Sequence, residues 1–414
     1  MESCKSATVI LLLAWVVASC GGGESRWAGT ITDSAGVTVV SNPDAGIWSK
    51  GEEWTFEEET RIGVQEGPPE YQFGLITGLG ILADGRLVVG DAIARDLKFY
   101  SAKGEHELTV GRAGSGPGEF GQGGILVLVG AGDTILAMDY AQKRLHQYSP
   151  DGTYRGTFNT PPEDAVRLSG VWGDGPGGRI FSFWRVRASA PVDTLDVVLA
   201  HDLTGSVVDT VVSLPSSTFR SAAGERYTFR FFPFEAVFSY MQDGSFIAGH
   251  SSRYRLSWYD PAGHLSRIVT LEPEGTPLTT AERDWIMDRF TNRLRRQNRT
   301  AEQISGFRQS MRFEDFYPAF RKVASGPGRT IWVQRVRLLS ALSPDELARH
   351  TTRLPDSWEW DVLDGEGRYL GAVEFPRRFE LLRFHGDRAY GVWRDEFDVQ
   401  YVVVLRLTET SGTN

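Results

Sequence analysis

Two carboxylates stand at matching places in two similar stretches. Asp91 ends Gly85-Arg-Leu-Val-Val-Gly-Asp91, and Asp139 ends Gly132-Asp-Thr-Ile-Leu-Ala-Met-Asp139. Paired oxygen donors could begin a calcium site, although calcium asks for several more. The matching residues of four further stretches are Trp184, His250, Arg335 and Trp393, so the pattern does not continue. An aspartate at a strand end also caps the following loop through backbone amides, and both readings stand for Asp91 and Asp139. Neither Gly-x-Ser-x-Gly nor His-Glu-x-x-His occurs, so no nucleophile or zinc motif is spelled out. Gly111-Arg-Ala-Gly-Ser-Gly-Pro-Gly-Glu-Phe120 has the glycine content of a phosphate cradle. It lacks the Gly-x-x-x-x-Gly-Lys-Ser/Thr spacing, and a strand pattern follows it rather than a helix.

The elements that must position these residues repeat. A turn glycine precedes a short β-type run six times, at Gly85, Gly132, Gly178, Gly244, Gly328 and Gly386. Most units carry a second hairpin, as in Leu97-Lys-Phe-Tyr leading to Gly104 and Leu145-His-Gln-Tyr leading to Gly152. Two hairpins per unit give four antiparallel strands, and six units give an all-β, six-bladed β-propeller. The sixth unit lacks a fourth strand, and Trp54–Ile62 is a strand without a unit. It is expected to become the outer strand of the last blade and close the ring. The glycine-rich stretch is then the crossing between two blades, with Phe120 anchoring the next inner strand.

Propeller topology puts the blade-to-blade connectors and the loops between second and third strands on one face. The long segments 185–196, 215–234, 272–319 and 338–357 all fall there, so binding is expected on that face. Arg185, Arg187, Arg335, Arg337 and Arg394 lie near second-strand ends and could hold a carboxylate or phosphate. Arg220, Arg226 and Arg230 are interleaved with aromatics in a pattern that suits an anionic or planar ligand, or simple packing. Of the seven histidines, only His250 and His350 map to this face, too few for a zinc cluster. Within 272–319, Thr279-x-x-Glu282 and Thr300-x-x-Gln303 are capping boxes that open helices over about 277–318. Ile286, Phe290 and Leu294, and then Ile304, Phe307 and Met311, are spaced to face the propeller. Arg289, Arg293 and Arg296 are on the outward side, as a docking surface or a solvated one.

The first residues belong to an address rather than a fold. Lys5 precedes the apolar run Val9–Val17, and Val17-Ala18-Ser19-Cys20 follows. This resembles the lipobox of bacterial lipoproteins, which implies lipid on Cys20. Cys4 would leave with the signal, so no disulfide is expected. The divisions expected are a signal at 1–19, Cys20 and a flexible tether at 20–34, the propeller at 35–408 and a tail at 409–414. The formal net charge of −9 argues against nucleic acid as a partner.

The motif Val110–Phe120, together with Asp84–Asp91 and Leu97–Tyr100, resembles the NHL-type repeat. More closely, it is similar to the six-bladed propeller lipoproteins common in some Gram-negative bacteria, over residues 35 to 408. The resemblance implies an exported scaffold, lipid-anchored in the cell envelope (the outer membrane preferred) and binding a protein, peptide or glycan through one loop-rich face. No cofactor is expected. Related propellers include gluconolactonase-like hydrolases and peptide-amidating lyases that use calcium or zinc. A metal-dependent hydrolase or lyase is therefore the alternative, with Asp91 and Asp139 as its calcium ligands. Whether the chain is an enzyme stays open at this point, and the binding reading is preferred.

Overall fold

The computed structural model describes residues 26–159, 165–172, 180–187, 194–202, 206–215, 229–241, 243–272, 275–350 and 353–409. Six antiparallel four-stranded units follow one another around a ring. Blade one is built from Ile76–Ile81, Leu87–Asp91, Asp96–Tyr100 and His106–Val110. Blade two runs from Ile125–Gly130 to Tyr154–Asn159, and blade three from Ala165–Trp172 to Val207–Pro215. Blade four spans Ala236–Tyr240 to Leu265–Leu271, and blade five Val323–Ser325 to Tyr369–Glu374. Blade six has three strands of its own, Phe379–His385, Arg388–Arg394 and Gln400–Thr408. Its fourth is Thr55–Ile62, antiparallel to Gln400–Thr408, as the closure argument requires.

Alternating strand residues bury one apolar cluster between each pair of neighbouring blades. Leu82, Val88, Phe99, Phe120, Val127 and Tyr148 join blades one and two. Ile62, Leu87, Tyr100, Tyr390 and Val402 join blade six back to blade one, so the packing is continuous through the closure.

The glycine-rich crossing is a tight connector. Arg112–Ala113 pairs in parallel with Glu119–Phe120. The Glu119 carboxylate accepts from Arg112 Nε at 2.9 Å and from the Gly116 amide at 2.8 Å. Gly111 has φ +86°, and a Cβ there would lie 2.6 Å from the Phe120 ring, so only glycine fits. Gly116-Pro-Gly-Glu-Phe-Gly121 does spell Gly-x-Gly-x-x-Gly, but it leads into the strand Ile125–Gly130 and not into a helix.

One element was not foreseen. Residues 30–34, grouped with the tether on sequence, form the strand Thr30–Ser34, which pairs with Val37–Asn42. Val37–Asn42 in turn adds in parallel to the outer edge of blade four. The chain then crosses to blade five, where the Ile47 and Trp48 amides donate to the Tyr369 and Leu370 carbonyls, before completing blade six. This N-terminal belt therefore covers the rim of three blades. Asn42, 2% exposed, is its clamp. Its amide nitrogen donates to Thr270 O and Gly367 O, and its Oδ1 accepts from Tyr369 N and Trp27 Nε1.

The helical insertion consists of α1 (Thr280–Arg296) and α2 (Ala301–Ser310), both with complete capping boxes. A third capping box at Ser343 opens the short helix α3 (Pro344–Arg349) in the 338–357 loop. Ile286, Phe290, Leu294, Ile304 and Met311 are buried against Phe231, Phe232, Tyr317 and Leu339. Phe307 is not: it is 41% exposed, because the buried stripe of α2 consists of Ile304 alone.

Candidate functional site

The sequence-predicted arginines do not converge. Arg185 lies inside the strand Ile180–Arg187, opposite Asp196, and donates to both its carboxylate oxygens at 2.7 and 2.9 Å. The pair is buried, so the strands extend where a loop over 185–196 was expected, and Arg185 is unavailable to a ligand. Arg187 ends the same strand, and its side chain lies outside the described residues, as do Arg220 and Arg226. Arg337 forms a fork with Glu346 at 3.0 Å on both oxygens and stacks on Trp358. That contact, with the Ser343 amide, pulls the Glu346 carboxyl down to about 2. Arg394 lies 3.4 Å from Glu380 and 3.7 Å from Asp398.

Arg335 belongs to a network between blades four and five. It donates to Asp361 Oδ1 at 2.7 Å, and the Tyr369 and Tyr254 hydroxyls donate to the same carboxylate at 3.0 and 3.1 Å. Burial pushes the Asp361 carboxyl up, despite Arg335 and the two phenols. Every ionised group here has a partner, and the network ties blades together beside a cavity of about 320 Å³.

Asp91 and Asp139 are used by the backbone. Asp91 accepts from the amides of Gly74, Leu75, Ile93 and Ala94 and lies 3.3 Å from Lys98. Burial raises its carboxyl, but these amides and Lys98 outweigh it and hold it below the ordinary value. Asp139 accepts from the amides of Gly121, Ala141 and Gln142 and from the Gln142 side chain. Each carboxylate ties an incoming connector to a second-strand loop, so the pair does not fit a calcium ligand set. Among the described residues, no three His, Cys, Asp or Glu side chains are grouped to hold a metal. His250 and His350 are apart, with Ser252 Oγ and the Arg353 carbonyl as their partners. Ser182 touches His201, but both are buried in blade three and the serine hydroxyl accepts from Trp184.

A convergent recess does exist, in residues the sequence did not single out except Arg230. Phe320, Arg321 and Lys322 directly precede the inner strand of blade five on the loop-rich face. With Phe231, Phe232, Arg353 and Leu354 they line a cavity of about 380 Å³. Phe231, Phe232 and Phe320 are buried and form an apolar floor. Arg321 is held through one terminal nitrogen, which donates to the Pro355 carbonyl at 2.9 Å and lies 3.5 Å from the exposed Asp356 carboxylate; its other guanidinium nitrogens have no partner among the described residues. Arg353 is exposed and has no side-chain partner among the described residues. Arg230, at the edge, is paired with Glu314 at 2.6 Å. Lys322 reaches across to Glu380 of blade six at 2.9 Å; burial raises that carboxyl, while Lys322 and Arg394 pull it below its ordinary value. A second cavity of about 340 Å³, toward blade six, shares Arg321 and Lys322.

The opposite mouth of the channel is a cavity of about 410 Å³. Its charged groups are matched within the chain: Arg329 with Asp243 at 2.8 Å, Arg383 with Val127 O, and Asp133 with the Ala83 amide.

No family model matches the chain, and no curated protein does. Solved structures do resemble it. A member of the duf4221 family from Bacteroides vulgatus superposes with a TM-score of 0.50 at 13% identity, covering 87% of this chain and 99% of that one. A protein described as exported, from Bacteroides fragilis, gives 0.48 at 12% identity, covering 89% and 99%. A gluconolactonase from Xanthomonas campestris gives 0.42 at 9%, covering 81% and 87%. The six blades themselves define the class of protein, a six-bladed β-propeller, and likeness at these identities adds nothing finer.

Proposed function

We propose that this chain is an exported propeller, held to a membrane by lipid on Cys20, and that it acts as a binding scaffold through its loop-rich face. The ligand sits in the recess beside Arg321 and Arg353. One observation carries the reading. Arg230, Arg289, Arg335, Arg337 and Arg394 all have partners within the chain, whereas Arg353 is unpartnered at the rim of an apolar floor. An anionic group on an apolar body satisfies both features, with the guanidinium forks taking the anion. Among protein, peptide and glycan partners, this favours a peptide carboxylate beside an apolar side chain over a neutral sugar. The α1–α2 hairpin beside the recess serves as a separate docking element.

The test is a titration with 3-phenylpropionate and its neutral amide, followed by ligand-observed NMR. The acid should bind and the amide should not, and Arg353→Ala should weaken the acid about tenfold, the worth of one charge-assisted bond. Equal binding of acid and amide, or an unchanged Arg353→Ala, would sink the reading.

A further inference from the structure

We propose that the tip of the α1–α2 hairpin rests on the anionic headgroup surface of the membrane to which Cys20 tethers the chain. This rests on the reading above, that Cys20 carries lipid and that the hairpin docks, and it names what the hairpin docks on.

Charge is the first observation. Residues 292–312 hold six arginines, at 293, 295, 296, 299, 308 and 312, against one acid, Glu302, in a chain of net charge −9. All six are exposed. None has a carboxylate partner among the described residues. Arg293 lies over Phe290, Arg295 bonds Asn292, Arg308 bonds Thr291, and Arg312 donates to backbone carbonyls. Elsewhere on this face Arg230, Arg335, Arg337 and Arg394 are paired with acids, so apart from Arg353 in the recess the hairpin carries the cations left for something outside the chain.

The second observation is Phe307, next to Arg308 and 41% exposed. With Arg299, Gln303 and Ser310 it lines a shallow groove. The groove also holds Glu302, and an exposed aromatic ring on a helix whose flanking charges are mostly arginine suits the boundary between phosphate headgroups and acyl chains.

Third, the tether is short and enters at the right place. Trp27 Nε1 donates to Asn42 Oδ1, and the Asn42 carbonyl accepts from Glu272 N, where the chain leaves blade four for the insertion. The N-terminal chain thus enters the fold beside the root of the hairpin. Six residue steps separate Cys20 from Arg26, a span of about 22 Å at most. The 17 residues of α1 extend about 25 Å. The two lengths differ by only about 3 Å, so a hairpin inclined toward the bilayer brings its tip to the surface that holds the acyl chains. An acidic protein could meet the same charges, but neither Phe307 nor the nearby tether would then have a part.

The experiment uses the chain from Gly21, which has no lipid and omits only residues outside the described structure. Binding is measured by flotation with vesicles of phosphatidylcholine alone, or with about one third phosphatidylglycerol. The protein should float with the anionic vesicles, not with the neutral ones, and should release as salt rises from about 0.1 to about 0.5 M. Replacing Arg295, Arg296, Arg299 and Arg308 by Gln should weaken partitioning about 100-fold or more. All four are exposed, so folding should be intact, and an unchanged melting curve and unchanged 3-phenylpropionate binding would verify it. Phe307→Ser should weaken binding further at constant charge. No vesicle binding, equal binding to both compositions, or an unchanged quadruple variant overturns the proposal. These outcomes are distinguishable from a failure of the anchoring reading, which would appear as an unmodified Cys20 in the mass spectrum of membrane-extracted protein.

Discussion

Removing the clamp of the N-terminal belt should cost more stability than any exposed substitution. Asn42→Ala deletes four hydrogen bonds at a residue 2% exposed. Three of them are to backbone groups, each worth about 1 kcal/mol net. The Tyr369 amide, in a residue 3% exposed, is left without its acceptor, which adds about 1–2 kcal/mol. The Trp27 indole lies in a half-buried residue and regains water, so its share is near zero. The total is about 4–5 kcal/mol. Urea unfolding followed by tryptophan fluorescence measures it, with Thr32→Ser on the exposed neighbouring strand as a control that should change stability by under about 0.5 kcal/mol. Asn42→Asp is a second probe. It keeps the acceptor for Tyr369 but turns an oxygen against Thr270 O and Gly367 O, so it should be no better than alanine. Native-state hydrogen exchange should also speed up in Val37–Asn42 while blade two is unchanged. A loss under about 1 kcal/mol for Asn42→Ala would refute the idea that the belt is clamped there.

Three further predictions follow from buried charges and one titrating contact. Arg185→Met leaves Asp196 buried and alone and should cost about 3–5 kcal/mol, whereas Arg185→Met with Asp196→Leu should recover most of it, measured by urea unfolding. Asp91→Ala should cost a similar amount, because four amides lose their acceptor and Lys98, 4% exposed, loses the nearer of its two carboxylates and keeps only Asp96 at 3.6 Å; Asp91→Asn should cost less, since its carbonyl oxygen still accepts amides. The Glu346 carboxyl is lowered by folding, so its stabilising contribution is present above the unfolded value of about 4.3 and is lost as pH falls toward about 2. The protection of the α3 amides, measured as exchange relative to the intrinsic rate at each pH, should therefore fall across that window in the wild type and be low and pH-insensitive in Glu346→Gln.

Most of the ring was legible because its signals are local. Turn glycines such as Gly85 and Gly244 have positive φ, as the hairpin reading requires, and each marks a strand pair closed within a few residues. The capping boxes at Thr279 and Thr300 are local too. The belt was not legible, since Val37–Asn42 pairs in parallel with a strand over 200 residues away and no turn announces it. The fates of the arginines were hidden for the same reason. Arg230 meets Glu314 across the insertion, and Arg335 meets Asp361 across a loop. Arg185 with Asp196 was the exception, readable as a cross-strand pair had the strands been extended. Arg321 and Lys322 could have been found by asking which charges immediately precede an inner strand, because that position opens onto the channel mouth.

The most direct test of the binding account is a crystal structure of the protein with 3-phenylpropionate. The account predicts the carboxylate between Arg321 and Arg353, with the ring against Phe320 and Leu354. A ligand at the opposite channel mouth beside Arg383, with the recess vacant, would contradict it.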